Sequence, residues 1–191
     1  QLKKGNVNYI LKDDGEMDTF LIENVYVTVF YDVHENDTVT AIQIISKTLE
    51  NRKPSIYGDR NKDLQQGFEF QLFDLTNAAR VHHNVPPVKW ESIIRGTAYK
   101  HSLDMAAQNF FNHTNLSGES PFDRMSEDGI DYSIAGENLA YGQSSSIFAH
   151  EGLMNSIGHR KNLLSQEFTL LGVGVALNEQ DQPYYTETFY T

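Results

Sequence analysis

The chain has 191 residues, of which 39% are hydrophobic and 12% aromatic, enough apolar surface for a packed core and too much for global disorder. Its 15 basic and 26 acidic residues leave a formal charge of −11, which argues against nucleic acids and anionic lipid head groups, because both are held by clustered Lys and Arg. The absence of cysteine excludes disulfides, thiolate metal sites and cysteine nucleophiles.

No apolar run approaches the roughly 18 residues that a membrane-spanning helix needs. Gln1 is not a natural start, so a signal or anchor segment is expected to precede it, and an extracellular or envelope location is expected.

Strand chemistry comes first along the chain. Phe20-Leu21-Ile22 forms an apolar run, and Val25, Val27, Val29 and Tyr31 then alternate with Tyr26, Thr28, Phe30 and Asp32. β-branched and aromatic residues at period two predict strands covered on at least one side. His34-Glu35-Asn36-Asp37 supplies turn chemistry before Val39, Ala41, Ile42, Ile44 and Ile45. The pattern predicts a meander of about three to four antiparallel strands, assigned to a β-rich domain over residues 1–50.

Asn51, Pro54, Gly58, Asp59, Asn61 and Asp63 punctuate the next stretch, and residues 51–66 read as a linker. Residues 67–191 form the second domain. Phe68, Leu72, Leu75 and Ala79 recur on one helical stripe, and the helix stops at Asn84-Val85-Pro86-Pro87. A second helix is predicted from Trp90-Glu91-Ser92 to Phe110 or Phe111, burying Ile94, Ala98, His101 or Ser102, and Met105. Residues 112–132 read as turn-rich, a third helix fits Ile147 to Ser156, and late strands fit Thr169–Leu177 and Tyr184–Phe189.

Three polar motifs carry the candidate chemistry. Asn112-His113-Thr114 places an imidazole past the end of the second helix. Gly136-Glu137-Asn138 places one carboxylate among small residues, and Gly158-His159-Arg160 follows Ser156 near the end of the third helix. They lie too far apart for a local ligand motif. The remaining histidines, His34, His82, His83 and His150, read as surface residues, His101 as packed, and Arg80 and Arg124 as ion-pair partners of the acidic surface. His150-Glu151 begins like a zinc-protease helix but lacks the second histidine.

Taken in order, the segments 73–80, 98–105, 111–113, 118–124, Gly136-Glu137-Asn138, Met154 to Leu163 and Leu171-Gly172-Val173-Gly174-Val175 resemble the bacterial branch of the CAP superfamily, the SCP-like extracellular domains. The β-rich region resembles the CAP-associated N-terminal domain, in part. This resemblance implies an α+β fold, an α/β/α sandwich with a mainly antiparallel sheet between helical layers and a large cleft on one side.

It also implies that His113, Glu137 and His159 line that cleft, where some relatives hold a divalent metal. A second acid belongs to the family pattern, and Ser156 stands in its place, with Asn138 and Arg160 alongside. Two imidazoles and one carboxylate suit Zn²⁺ with an open water position better than a hard cation. Without metal, Glu137 is expected to raise the pKa values of both histidines. The leading functional expectation is a ligand-binding module. A hydrolase or protease built on the His–Glu–His cluster is the alternative, and lipid or sterol binding stands third.

Overall fold

The computed structural model describes residues 9–53 and 55–191, and the chain divides into two compact units, residues 1–54 and 55–191. The first unit is a four-stranded antiparallel meander, β1 (Tyr9–Asp13), β2 (Met17–Ile22), β3 (Val25–Asp32) and β4 (Thr38–Ser46), in the order β1-β2-β3-β4. Phe20, Val27 and Val29 form its buried cluster, flanked by Ile22, Val25 and Tyr31. The β3–β4 turn uses Asn36 and Asp37 at φ 56 and 55, a left-handed conformation that these two residue types tolerate.

The stretch expected to be a linker, residues 51–66, is helical at both ends. Ser46 accepts from the Leu49 amide at 3.3 Å and starts α1 (Lys47–Arg52). Asn61 accepts from the Leu64 amide at 2.7 Å and starts α2 (Lys62–His82), six residues before the apolar stripe begins at Phe68. The stripe alone concealed this polar first turn, whose signal is the N-cap. Between the two helices, Ile56 is buried in the core of the second unit.

After α2 come β5 (Lys89–Trp90), α3 (Ser92–Gln108), α4 (Pro121–Glu127), β6 (Ala135–Tyr141), α5 (Ser146–Asn155), α6 (Ile157–Leu163), β7 (Leu170–Leu177) and β8 (Pro183–Tyr190). The sheet order is β5-β7-β8-β6, antiparallel except for the short β5–β7 pair, so β6 is an edge strand. Helices cover both faces. Val173 and Val175 of β7 pack with Leu72 of α2 and Leu153 of α5, whereas Ala176 packs with Met105 of α3. This is the α/β/α sandwich.

Gly172 and Gly174 decide how closely α3 approaches the sheet. A Cβ on Gly172 would stand 2.2 Å from the Arg95 amide nitrogen, and one on Gly174 would stand 2.1 Å from that of Tyr99. The two glycines therefore let the backbone of α3 lie directly against β7. The gap between sheet and helix closes further through Ser102, whose hydroxyl donates to the Gly174 carbonyl at 2.9 Å.

Candidate functional site

Three short elements without a continuous apolar stripe build the site: α4, β6 and α6. A capping box starts α4. The Ser120 hydroxyl accepts from the Asp123 amide at 3.3 Å, the Asp123 carboxylate accepts from the Ser120 amide at 2.8 Å, and Pro121 occupies the first turn. The helix carries Arg124 inward. Its guanidinium donates to the His113 carbonyl at 2.8 Å, to the Glu119 carbonyl at 3.1 Å and to Glu137 Oε2 at 2.8 Å. Arg124 is an ion-pair partner, as expected, but of buried Glu137 and not of the acidic surface.

Glu137 sits on β6 with its side chain 4% exposed, and its other oxygen lies 2.9 Å from Nδ1 of His113, whose side chain is 51% exposed. A carboxylate only accepts, so the His113 ring donates from Nδ1 and its Nε2 remains the uncommitted nitrogen. Arg124 thus holds the His113 loop by its backbone and, through Glu137, by its ring. The result is a half-exposed imidazole fixed in tautomer and orientation by a buried ion pair.

His159 lies on α6 and takes a different partner. Its Nδ1 is 2.8 Å from Oγ of Ser156, the residue that ends α5 and begins α6 and whose hydroxyl makes no helix-capping bond. Burial, and then the positive character of neighbouring His113, hold His159 below the usual imidazole range. The expected upward pull of Glu137 is not found at His159, whose Nδ1 faces the Ser156 hydroxyl and not the carboxylate.

The close seating of α6 on the edge strand explains the glycine of the Gly136-Glu137-Asn138 motif. A Cβ on Gly136 would meet Cζ of Phe168 at 2.9 Å and Oδ1 of Asn162 at 3.2 Å. The Asn162 amide donates to the Glu137 carbonyl at 3.2 Å and to Oδ1 of Asn138 at 2.9 Å. Asn138 in turn donates to the His159 carbonyl at 3.2 Å and to Oε2 of Glu187 at 3.1 Å. Arg160 is buried and donates to the Met154 carbonyl at 3.3 Å, so it ties α6 back to α5.

Three further titratable or charged groups are buried in this unit. Glu187, on β8, is fully buried, accepts from Thr76 at 2.8 Å, and is pushed up to about 7 by burial. Its signal was a charged residue in a strand whose other members are Pro, Tyr, Thr and Phe. His150 is buried too, not on the surface: burial lowers it to about 4, and its Nδ1 has no partner. Arg80 is likewise no surface group. It is fully buried and donates to the carbonyls of Pro86, Leu163, Ser165 and Phe168, at 2.8 to 3.0 Å. Phe111, two residues before His113 in the chain, packs tilted on Tyr141 with ring centroids 5.8 Å apart, and Tyr141 on buried Tyr184 at 4.4 Å.

The family model of the cysteine-rich secretory proteins, CAP, matches residues 73–190, and the CAP-associated N-terminal model matches residues 1–55. The chain belongs to the CAP family. It does so without a single cysteine. An uncharacterized membrane protein of Bacillus subtilis, YlbC, is 32% identical over 93% of this chain and 54% of its own length. A second uncharacterized Bacillus subtilis protein, YkwD, is 40% identical over 56% of this chain and 42% of its own length. This CAP chain therefore spans about half the length of the curated relatives it matches.

Among solved structures, an extracellular SCP-domain protein of Bacillus anthracis superposes with a TM-score of 0.82 at 30% identity, over 98% of this chain and 69% of that one. A cysteine-rich secretory protein of Staphylococcus aureus does so with a TM-score of 0.70 at 19% identity, over 95% of this chain and 64% of that one, a likeness of fold. No helix among the described residues is long and apolar enough to cross a membrane.

Proposed function

We propose that this CAP chain is an extracellular or envelope-associated ligand-binding module whose ligand engages the imidazoles of His113 and His159. One observation carries the reading. A half-exposed histidine ring is held by a buried carboxylate that is itself neutralised by a buried arginine. Such an arrangement prepares Nε2 of His113 for a partner and loses little freedom when one binds. The extracellular description of the Bacillus anthracis relative supports the location.

A zinc-like cation is one partner that suits these donors. Both oxygens of Glu137 are engaged, so the carboxylate fits an orienting role behind His113, with the imidazoles of His113 and His159 as the direct donors. Bound there, the cation would supply Lewis acidity and a coordination position for a small ligand. Calorimetric titration with Zn²⁺ tests this. His113→Ala and His159→Ala should each weaken uptake at least about tenfold, and equal uptake by the double variant would remove the imidazoles from the reading.

The 2.8 Å contact between Ser156 and His159 favours one second reading, a serine hydrolase in which His159 takes the hydroxyl proton. A fluorophosphonate probe should then label Ser156 in the wild type and fail in His159→Gln. Absence of label above that of heat-denatured protein rejects it.

A further inference from the structure

Glu187 is the one carboxylate at the centre of a polar network that crosses three layers of the second unit. Its Oε1 accepts from the Thr76 hydroxyl of α2 at 2.8 Å, and its Oε2 accepts from the Asn138 amide of β6 at 3.1 Å. The same amide nitrogen donates its second hydrogen to the His159 carbonyl of α6 at 3.2 Å. Oδ1 of Asn138 receives Asn162, which also holds the Glu137 carbonyl. One side-chain amide therefore joins a fully buried carboxylate to the helix that carries His159 and, through Asn162, to the backbone of Glu137.

We propose that Glu187 is a positioning residue for the cleft: a buried proton site whose charge state is relayed through Asn138 to the His159 arm and, through Asn162, to the backbone of Glu137. The chemistry of the contacts gives the direction. An ionised Glu187 is a strong, charge-assisted acceptor for both Thr76 and Asn138. A protonated Glu187 must place its hydrogen on Oε1, where the Thr76 hydroxyl can turn to accept it, because Asn138 offers only donors to Oε2. Asn138 then faces a neutral carbonyl oxygen, its bond to Glu187 weakens, and its amide is freed to strengthen the bond to the His159 carbonyl.

The titration falls in a useful range. Burial, Thr76 and Asn138 are the influences on this carboxyl, which sits at about 7. The charged and titratable groups of the surrounding elements do not offset it. Glu69 of α2 is paired with Arg95, Arg80 serves four carbonyls, and Glu137 of β6 is paired with Arg124 and His113. Val173 is its neighbour on β7. His150, Glu151, His159 and Arg160 are titratable and charged groups of α5 and α6. Near neutral pH the network thus holds two arrangements of one amide.

The proposal uses the cleft reading above for its consequence only, and its test needs no ligand. In nuclear magnetic resonance spectra of the whole chain between pH 5 and 9, the side-chain amides of Asn138 and Asn162 and the backbone amides of His159–Asn162 should share one inflection near neutrality. Glu187→Gln should abolish that inflection and leave a dispersed, folded spectrum. Thr76→Val, which removes a donor to the ionised form, should move it to higher pH. His113→Gln and His159→Gln should each leave the inflection of the Asn138 and Asn162 side-chain amides in place, which separates it from imidazole titration. Amides that do not move between pH 5 and 9, or an inflection that survives in Glu187→Gln, would overturn the proposal. If Glu187→Gln does not fold, an unshifted inflection in Thr76→Val overturns it as well. Loss of Zn²⁺ uptake with the inflection intact would fail the binding reading and leave this one standing.

Discussion

Two buried titratable side chains on one face of the sheet pull stability in opposite directions. Glu187 sits at about 7 in the folded chain against an ordinary 4.5, so between those values the folded state holds a proton that the unfolded state has released. Stability attributable to it is full below about 4.5 and falls by about 1.4 kcal/mol per pH unit up to about 7, then stays level. His150 runs the other way. It sits at about 4 against an ordinary 6.5, so its contribution is full above 6.5 and is lost as pH falls toward 4. In the overlap the two slopes cancel. Denaturant unfolding as a function of pH should therefore separate them. The stability difference between Glu187→Gln and wild type should grow in favour of the variant by about 3 kcal/mol from pH 4.5 to 7. For His150→Leu the difference should grow in favour of the variant as pH falls from 6.5 to 4. A pH-independent difference in both would show that neither group is held as the burial implies.

At the scale of elements, the cost of a side chain depends on what the backbone faces. Gly174 lies under α3, where any Cβ would sit 2.1 Å from the Tyr99 nitrogen, while Gly67 in α2 has nothing within 4 Å. The same change, glycine to alanine, should then have opposite signs. Gly174→Ala forces α3 off the sheet and should cost about 3 kcal/mol or more, whereas Gly67→Ala should gain up to about 1 kcal/mol from helix propensity. Thermal unfolding of the two variants checks this, and equal melting temperatures would mean that α3 is free to move away.

The elements carrying a continuous apolar stripe were legible in the sequence. The buried set of α3 (Ile94, Ala98, His101, Ser102 and Met105) and the two late strands stand where periodicity placed them. The missed elements are short and get their order from polar contacts: α4 from the Ser120–Asp123 box, α6 and β6 from Asn138 and Asn162. His113, Glu137 and His159 came from family resemblance, and spacing alone did not join them. The buried ion pair with Arg124 was illegible because a sequence does not state which of several arginines is covered.

The whole chain divides at Ser55, and the second unit holds a complete core of its own. Its sheet is covered on one face by α2 and α5 and on the other by α3, and its N-terminal turn is pinned from within. The Ser55 hydroxyl donates to the Gln180 carbonyl at 3.0 Å, and Arg60 donates to the carbonyls of Asn178 and Leu177 and pairs with Asp181. Every candidate site residue, from Thr76 to Glu187, also belongs to this unit. A fragment covering residues 55–191 should therefore fold cooperatively and reproduce the amide pattern of the site, including the Asn138 and Asn162 side chains. A cut at residue 62, by contrast, removes Ile56 and Arg60. Truncating one buried Ile costs about 2–5 kcal/mol, so the shorter fragment should melt several degrees lower. Circular dichroism melts of both fragments decide it: equal melting temperatures would show that residues 55–61 add nothing, and a non-cooperative 55–191 fragment would show that the second unit does not stand alone.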